Sequence, residues 1–272
     1  MISFIEEIKD DPRFIDRSGF SMHDELHQKF WIVEDKLKPE IRDRLIEIVK
    51  DFMDGVGEDI KIDDITFTGS LANFNWSSYS DIDLHILVDF KSVDENIELV
   101  RDFFNSKKSQ WNRAHDIHIL GFEVEVYIQD TNEPHISTGV YSLMQDEWLT
   151  KPTKEAVDID WPDVEKKAVS LMDQIDRLST LHAGEEYKEA YDYASKLKNK
   201  IKKFRQSGLD RAGQYSSENI AFKALRRNEY IGKLMSIRTA SYDKMMSMNG
   251  EGGIKINVSE VWKDFLGQLT NE

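Results

Sequence analysis

The sequence of 272 residues contains no cysteine, only five prolines and no apolar run of the roughly 18 residues that a membrane-spanning helix requires. The absence of cysteine excludes disulfide bonds, a disulfide-linked partner and thiolate metal sites, so a bound metal would need oxygen or imidazole ligands. The opening stretch MISFIEEIKDDPR has too short an apolar segment for a signal peptide. We therefore expect a cytoplasmic protein with no membrane partner.

The chain also has few basic residues relative to acidic ones. Its 36 Lys and Arg residues are outnumbered by 51 Asp and Glu residues, which gives a net charge of −15. An acidic surface repels phosphates, which argues against a protein that coats long nucleic acids. Residues 192–233 differ, with 11 Lys and Arg against four Asp and Glu. We call this segment the basic island.

The spacing of apolar residues predicts two domains of different class. The hydrophobic content of 40% and the length are sufficient for a sizeable core. In the first half the pattern switches between the helical period and the alternation of strands. The predicted elements there are two helices within 22–54 separated at Pro39, a helix over 93–106, and strands over 62–68, 81–88 and 115–130, the last with a bend at Gly121.

The second half, from Trp161 onward, has helical spacing throughout. The stretch 149–162 contains two prolines and is the predicted linker. The predicted fold class is therefore α+β. It consists of a mixed α/β domain over 1–150, with N-terminal helices and a small β-sheet flanked by helices, followed by an all-α domain over 160–272.

Two aspartates in the strand predicted over 81–88 raise a question of charge. Asp81 and Asp83 share one face of that strand, about 7 Å apart along it, while the intervening residues are apolar. Two carboxylates so placed repel each other unless a cation lies between them, and Mg²⁺ or Mn²⁺ takes such oxygen ligands together with substrate phosphates. The alternative is a strand whose aspartates only face solvent.

Gly69 and Ser70 follow a predicted strand, with Ser70 eleven residues before Asp81. Glycine allows close approach of the backbone to a ligand, and backbone amides with a serine hydroxyl suit phosphate oxygens. A site for phosphoryl or nucleotidyl transfer with two metal ions generally uses a further carboxylate. Glu123 and Glu125 share the polar face of the strand over 115–130, and we favour Glu125 because it lies nearer the strand centre.

The combination of TGS, DIDLHI and VEVY resembles the nucleotidyltransferase superfamily that includes DNA polymerase beta, poly(A) polymerases, the CCA-adding enzymes and the minimal nucleotidyltransferases. The resemblance covers residues 65–128. It implies a Mg²⁺-dependent enzyme that transfers a nucleoside monophosphate from an NTP to an acceptor hydroxyl and releases pyrophosphate. The residues it implies are Asp81, Asp83 and Glu125 as catalytic metal ligands and Gly69 and Ser70 as phosphate ligands.

Within the basic island, residues 201–227 resemble a segment of poly(A) polymerases and related cyclases in which a helix-borne lysine and a serine on the next helix bind the triphosphate. Here these residues would be Lys202 or Lys203, and Ser217. The alternatives are an RNA-binding surface, a solvated helix face, and a helix N-cap at Ser217.

The sequence does not identify the acceptor, although a small RNA such as a tRNA-like 3′ end fits the compact basic island best. A protein hydroxyl or a second nucleotide is also open. The alternative to an enzyme is a non-catalytic antitoxin-like or binding module of the same fold.

Overall fold

A computed structural model of the chain describes residues 13–32, 35–57, 60–134, 137–154 and 157–248. The chain divides into two compact units. The sheet unit comprises the described residues between 16 and 157, and the helical unit comprises residues 13–15 and 158–248. The division falls within the predicted linker over 149–162. The C-terminal part of the predicted domain over 160–272 lies outside the described residues.

The sheet unit contains a mixed six-stranded sheet in the order β3-β4-β2-β1-β5-β6. Strands β2 and β4 are parallel, and the other neighbouring pairs are antiparallel. The strands are β1 (Asp64–Thr68), β2 (Ile82–Val88), β3 (His118–Ile119), β4 (Phe122–Asp130), β5 (Val140–Ser142) and β6 (Glu147–Thr150), and the helices are α1 (Pro39–Val56), α2 (Phe90–Val93) and α3 (Ile97–Ala114). This mixture agrees with the predicted α+β class.

The alternation in β2 separates a buried apolar face of the sheet from a polar face. Leu84 and Ile86 are fully buried in the same core as Leu45 and Phe52 of α1 and Phe104 of α3. The alternate residues Asp83 and His85 therefore point to the other face. Burial of the apolar face fixes the register of β2, because a shift by one residue would bring the charged side chains into the core.

The prediction of a first helix within 22–54, before Pro39, is wrong, because the described residues before Pro39 contain no α-helix. Ile32 N donates instead to Lys36 O at 2.8 Å, and Trp31 pairs with Leu37 in an isolated β-bridge. The spacing of the buried side chains there reflects packing in the core of the sheet unit rather than helical backbone. These side chains are Leu26, Phe30, Trp31 and Leu37. The second predicted helix is confirmed as α1, which has Pro39 in its first turn and ends at Gly57 in the left-handed conformation.

The remaining predictions for the sheet unit are confirmed with shifted boundaries. Helix α3 begins at Ile97 because the Asn96 side chain accepts a hydrogen bond from Leu99 N at 3.2 Å and caps it. The strand predicted over 115–130 is divided into β3 and β4 by a turn at Leu120 and Gly121, whose φ angles are 54° and 92°. The bend predicted at Gly121 is therefore present.

The helical unit contains four α-helices and no strand among its described residues. Its buried apolar side chains include Leu171 and Ile175 of the first helix and Leu197 and Ile201 of the second. No helix in the described part of the chain is long and apolar enough to cross a bilayer. The helices are α4 (Trp161–Ala183), α5 (Tyr187–Ala212), α6 (Ser217–Arg227) and α7 (Tyr230–Met246).

Candidate functional site

Three carboxylates converge on the polar face of the sheet. Asp83 of β2 lies directly opposite Glu125 of β4 in the parallel register, and Asp81 directly precedes β2. One carboxylate oxygen from each of the three lies within 4.8 Å of the others, and all three side chains are partly buried. We call Asp81, Asp83 and Glu125 the acidic triad.

The donor set of the acidic triad fits a hard divalent cation. All three ligand groups are carboxylates, which suit Mg²⁺ or Mn²⁺ rather than the softer metals that favour sulfur. Like charges this close repel each other, and a bound cation removes that cost. Within the described ranges, no other group of three or more His, Asp or Glu side chains comes as close together.

Gly69 lies against the carboxylate of Asp83. Its φ of 79° and ψ of −162° belong to a region that is essentially restricted to glycine. An added Cβ would lie 2.9 Å from Asp83 Cγ and 3.2 Å from Asp83 Cβ. The sequence predicted a glycine that a ligand approaches closely, and the structure shows that the approaching group is a side chain of the acidic triad.

Ser70 connects the end of β1 to the loop that carries Asp81. Its hydroxyl lies 2.7 Å from the hydroxyl of Ser80, which also accepts a hydrogen bond from Ser77 N at 2.9 Å. A single 3-10 turn, Ser70–Ala72, follows Gly69. Sequence reasoning missed Ser80, although its place directly before Asp81 was an available signal.

Glu125 and not Glu123 belongs to the acidic triad. Glu123 is exposed and pairs with His118 of the short strand β3, away from β2. Glu125 accepts a hydrogen bond at Oε2 from the hydroxyl of Tyr127. Sequence reasoning missed Tyr127, although the alternation of β4 places it on the same face as Glu125.

The ring of Tyr127 is surrounded by groups from other elements. The ring of His85 on β2 stacks beside it with centroids 5.1 Å apart, and Lys108 Nζ of α3 lies 4.1 Å from its centroid. Burial, together with the bond to Glu125, raises the pKa of the Tyr127 hydroxyl, so this group is a neutral donor at physiological pH. Burial lowers the pKa of Lys108.

The predicted triphosphate ligands lie in the helical unit. Lys202 and Lys203 are exposed on α5, and Ser217 is the first residue of α6. The helix cap is Ser216, whose side chain accepts from Asn219 N at 3.3 Å, so the alternative of an N-cap at Ser217 is wrong by one residue.

Ser217 is engaged with a carboxylate of the same unit. Hydrogen bonds from Lys167 and then from Ser217 hold the pKa of Asp163 below its ordinary value. The roles of Lys202, Lys203 and Ser217 in triphosphate binding remain predictions.

No family model, curated protein or solved structure matches the chain. The resemblance to nucleotidyltransferases therefore depends on the residues that carry it in the sequence. Of these, Asp81, Asp83 and Glu125 converge, and Gly69 lies in direct contact with Asp83.

Proposed function

We propose that the chain is a Mg²⁺-dependent nucleotidyltransferase that transfers a nucleoside monophosphate from an NTP to an acceptor hydroxyl and releases pyrophosphate. The sheet unit would be its palm-type catalytic domain, and the helices from Trp161 onward would form its all-α C-terminal domain. The observation that carries the proposal is the convergence of Asp81, Asp83 and Glu125 within 4.8 Å. Beside them lies Gly69, where any side chain would clash with the Asp83 carboxylate.

The residues of the site have separable roles in this reaction. A bound divalent cation, Mg²⁺ or Mn²⁺, would neutralise triphosphate charge and lower the pKa of the acceptor hydroxyl. Asp81, from the loop before β2, and Asp83, from β2 itself, would hold the nucleotide side of the metal site. Glu125 would hold the acceptor side from β4. Gly69 and Ser70, at the end of β1, present backbone amides and a hydroxyl to phosphate oxygens.

The acceptor we favour is a small RNA with a tRNA-like 3′ end. The support is the basic island, where Lys202 and Lys203 remain exposed on α5 while the protein as a whole is acidic. Localised positive charge suits a short nucleic acid, whereas the net charge of −15 opposes a long one. A protein hydroxyl or a second nucleotide is the alternative acceptor.

A non-catalytic binding or antitoxin-like module is the rival proposal. The presence of all three carboxylates favours the enzyme, because a scaffold has no need to keep like charges together on one face. Thermal unfolding with Mg²⁺ and NTP separates the two. An enzyme gains stability from their combined binding to the folded state, and a scaffold without the site gains none.

The proposed activity is tested with NTPs labelled at the α-phosphate or at the γ-phosphate, incubated with Mg²⁺ and with cellular RNA, cellular protein or nucleotides. Nucleotidyl transfer moves the α-label to one acceptor class and leaves the γ-label in pyrophosphate. An Asp83→Asn variant provides the control, because it keeps the size of the side chain and removes its charge. Transfer of the γ-label, or equal α-label transfer by the variant, would contradict the proposal.

A further inference from the structure

The hydroxyl of Tyr127 donates a hydrogen bond to Glu125, the third carboxylate of the acidic triad. Tyr127 lies two residues after Glu125 on β4, so both side chains point to the same face of the sheet. The hydroxyl donates to Glu125 Oε2. This bond uses one of about four lone-pair positions of the carboxylate, and the others remain available to a cation.

The direction of the Tyr127 hydroxyl is fixed by contacts with the ring. The imidazole of His85 lies beside it, with ring centroids 5.1 Å apart and an angle of 26° between the planes. Gln129 Oε1 accepts a hydrogen bond from His85 Nδ1 at 2.8 Å. Lys108 of α3 contributes a cation 4.1 Å from the ring centroid. Groups from β2, β4 and α3 therefore keep the ring in one orientation.

The backbone between the two side chains is also anchored. The Asn112 side chain of α3 accepts a hydrogen bond from Val126 N and donates one to Val126 O, both at 3.3 Å. Val126 is the residue between Glu125 and Tyr127, so this amide takes the place that a further strand would occupy beside β4. The strand that carries the carboxylate and its donor thus has a fixed position relative to α3.

We propose that Tyr127 is a positioning residue that orients the Glu125 carboxylate toward the cation of the acidic triad, an inference that depends on the metal site in the proposed function. Carboxylates that bind metals are commonly held by hydrogen bonds from groups that do not touch the metal, and loss of such a partner weakens metal binding. Without the hydroxyl, the flexible Glu125 side chain would have to be ordered at the moment of binding.

The test is a double-mutant cycle with Mn²⁺ as the probe, in which free Mn²⁺ is measured by electron paramagnetic resonance. Tyr127→Phe should weaken Mn²⁺ binding about tenfold in the wild-type background. In the Glu125→Gln background the same change should have no further effect, because Tyr127 acts through Glu125. Tyr141→Phe is the matched control, since Tyr141 of β5 donates to Asp146 Oδ1 at 2.9 Å outside the acidic triad.

Each other outcome has a definite meaning. Equal weakening in both backgrounds would overturn the inference, because the hydroxyl would then support the fold and not Glu125. Unchanged Mn²⁺ affinity of Tyr127→Phe, with a clear loss in Glu125→Gln, would overturn it and leave the proposed metal site intact. Wild-type Mn²⁺ affinity no higher than that of Glu125→Gln would contradict both. Nucleotide label on Tyr127 after incubation with NTP would make the hydroxyl an acceptor and overturn the positioning role.

Discussion

Gly69 and Asp83 are in contact at the end of the β1–β2 pair, where a Cβ on Gly69 would come within 2.9 Å of Asp83 Cγ. The residue before Gly69, Thr68, is the direct partner of Asp83 in the antiparallel register. The pairing of the two strands therefore places the aspartate over a backbone position where a side chain is sterically excluded. The proposed phosphate-binding turn and a proposed metal ligand are thereby joined in one structural unit.

Gly69→Ala should lower kcat strongly by displacing the Asp83 carboxylate. A displacement of about 1 Å costs on the order of 100-fold in rate. Gly57→Ala is the matched control, because Gly57 also has a positive φ, 80°, but no described atom lies within 4 Å of its Cβ position. It should lower the free energy of unfolding by about 1 kcal/mol and leave kcat unchanged. Equal kcat for the two variants would contradict the proposed role of the contact.

Asp81→Ala and Asp83→Ala should each abolish transfer and leave the metal-free protein at least as stable as the wild type. Removal of one member relieves the repulsion among three neighbouring carboxylates. The measurements are activity with Mg²⁺ and denaturant unfolding in a chelator. Asp102→Ala, which changes an exposed carboxylate on α3, should alter neither. Wild-type turnover in either triad variant would refute the assignment.

Glu125→Gln should lower kcat strongly and leave the KM for NTP nearly unchanged, because Glu125 acts on the acceptor side in the chemical step. Glu123→Gln should have little effect, since Glu123 is exposed and lies opposite β3. Steady-state kinetics of both variants at saturating Mg²⁺ provide the comparison. The opposite ranking would move the acceptor-side role to Glu123.

Simultaneous replacement of Lys202 and Lys203 by Ala should raise the KM for NTP and weaken NTP binding without any acceptor, if these lysines contact the triphosphate. If they bind RNA instead, NTP affinity should stay constant and the salt dependence of RNA binding should become less steep. Calorimetric titration of NTP and RNA at two salt concentrations distinguishes these results. Lys188→Ala, on an exposed part of α5 before the basic island, is the control. If the double variant changes neither titration, Lys202 and Lys203 only form a solvated helix face.

Gly208→Ala should destabilise the helical unit by about 1–3 kcal/mol, as overpacking does. A Cβ on Gly208 would lie 2.6 Å from Glu218 Cβ and 2.7 Å from Ser216 Oγ, so α5 and α6 would have to separate. Gly232→Ala in α7, with Glu229 Oε2 3.6 Å away as the nearest atom, should instead stabilise by up to about 1 kcal/mol. Thermal unfolding of the two variants tests this difference in sign.

Alternation along single strands made much of the site predictable. The pattern of β2 predicted that Asp81 and Asp83 share a face, and the pattern of β4 placed Glu125 on a polar face. Their convergence was not predictable from alternation alone, because it requires the parallel register that sets Asp83 opposite Glu125. The contact between Gly69 and Asp83 likewise depends on the β1–β2 register, which no local pattern in the sequence specifies.

The errors arose where one pattern is compatible with two backbones. Leu26 and Phe30 are spaced four residues apart, as on a helix, but they are buried from an irregular segment. Ser216 and Ser217 are both good capping residues, so sequence alone does not decide which of them begins α6. The hydroxyl–carboxylate pair of Tyr127 and Glu125 was missed because its orientation depends on His85 and Lys108 from other elements.

The claim that the acidic triad binds a divalent cation together with an NTP is tested most directly by anomalous diffraction of Mn²⁺. The crystals would be grown with an NTP analogue that cannot be cleaved between the α- and β-phosphates. We expect a Mn²⁺ peak about 2.0–2.4 Å from carboxylate oxygens of Asp81 and Asp83, in contact with the triphosphate, and the α-phosphorus facing Glu125. A triphosphate bound elsewhere, or saturating Mn²⁺ with no peak among the three carboxylates, would contradict it.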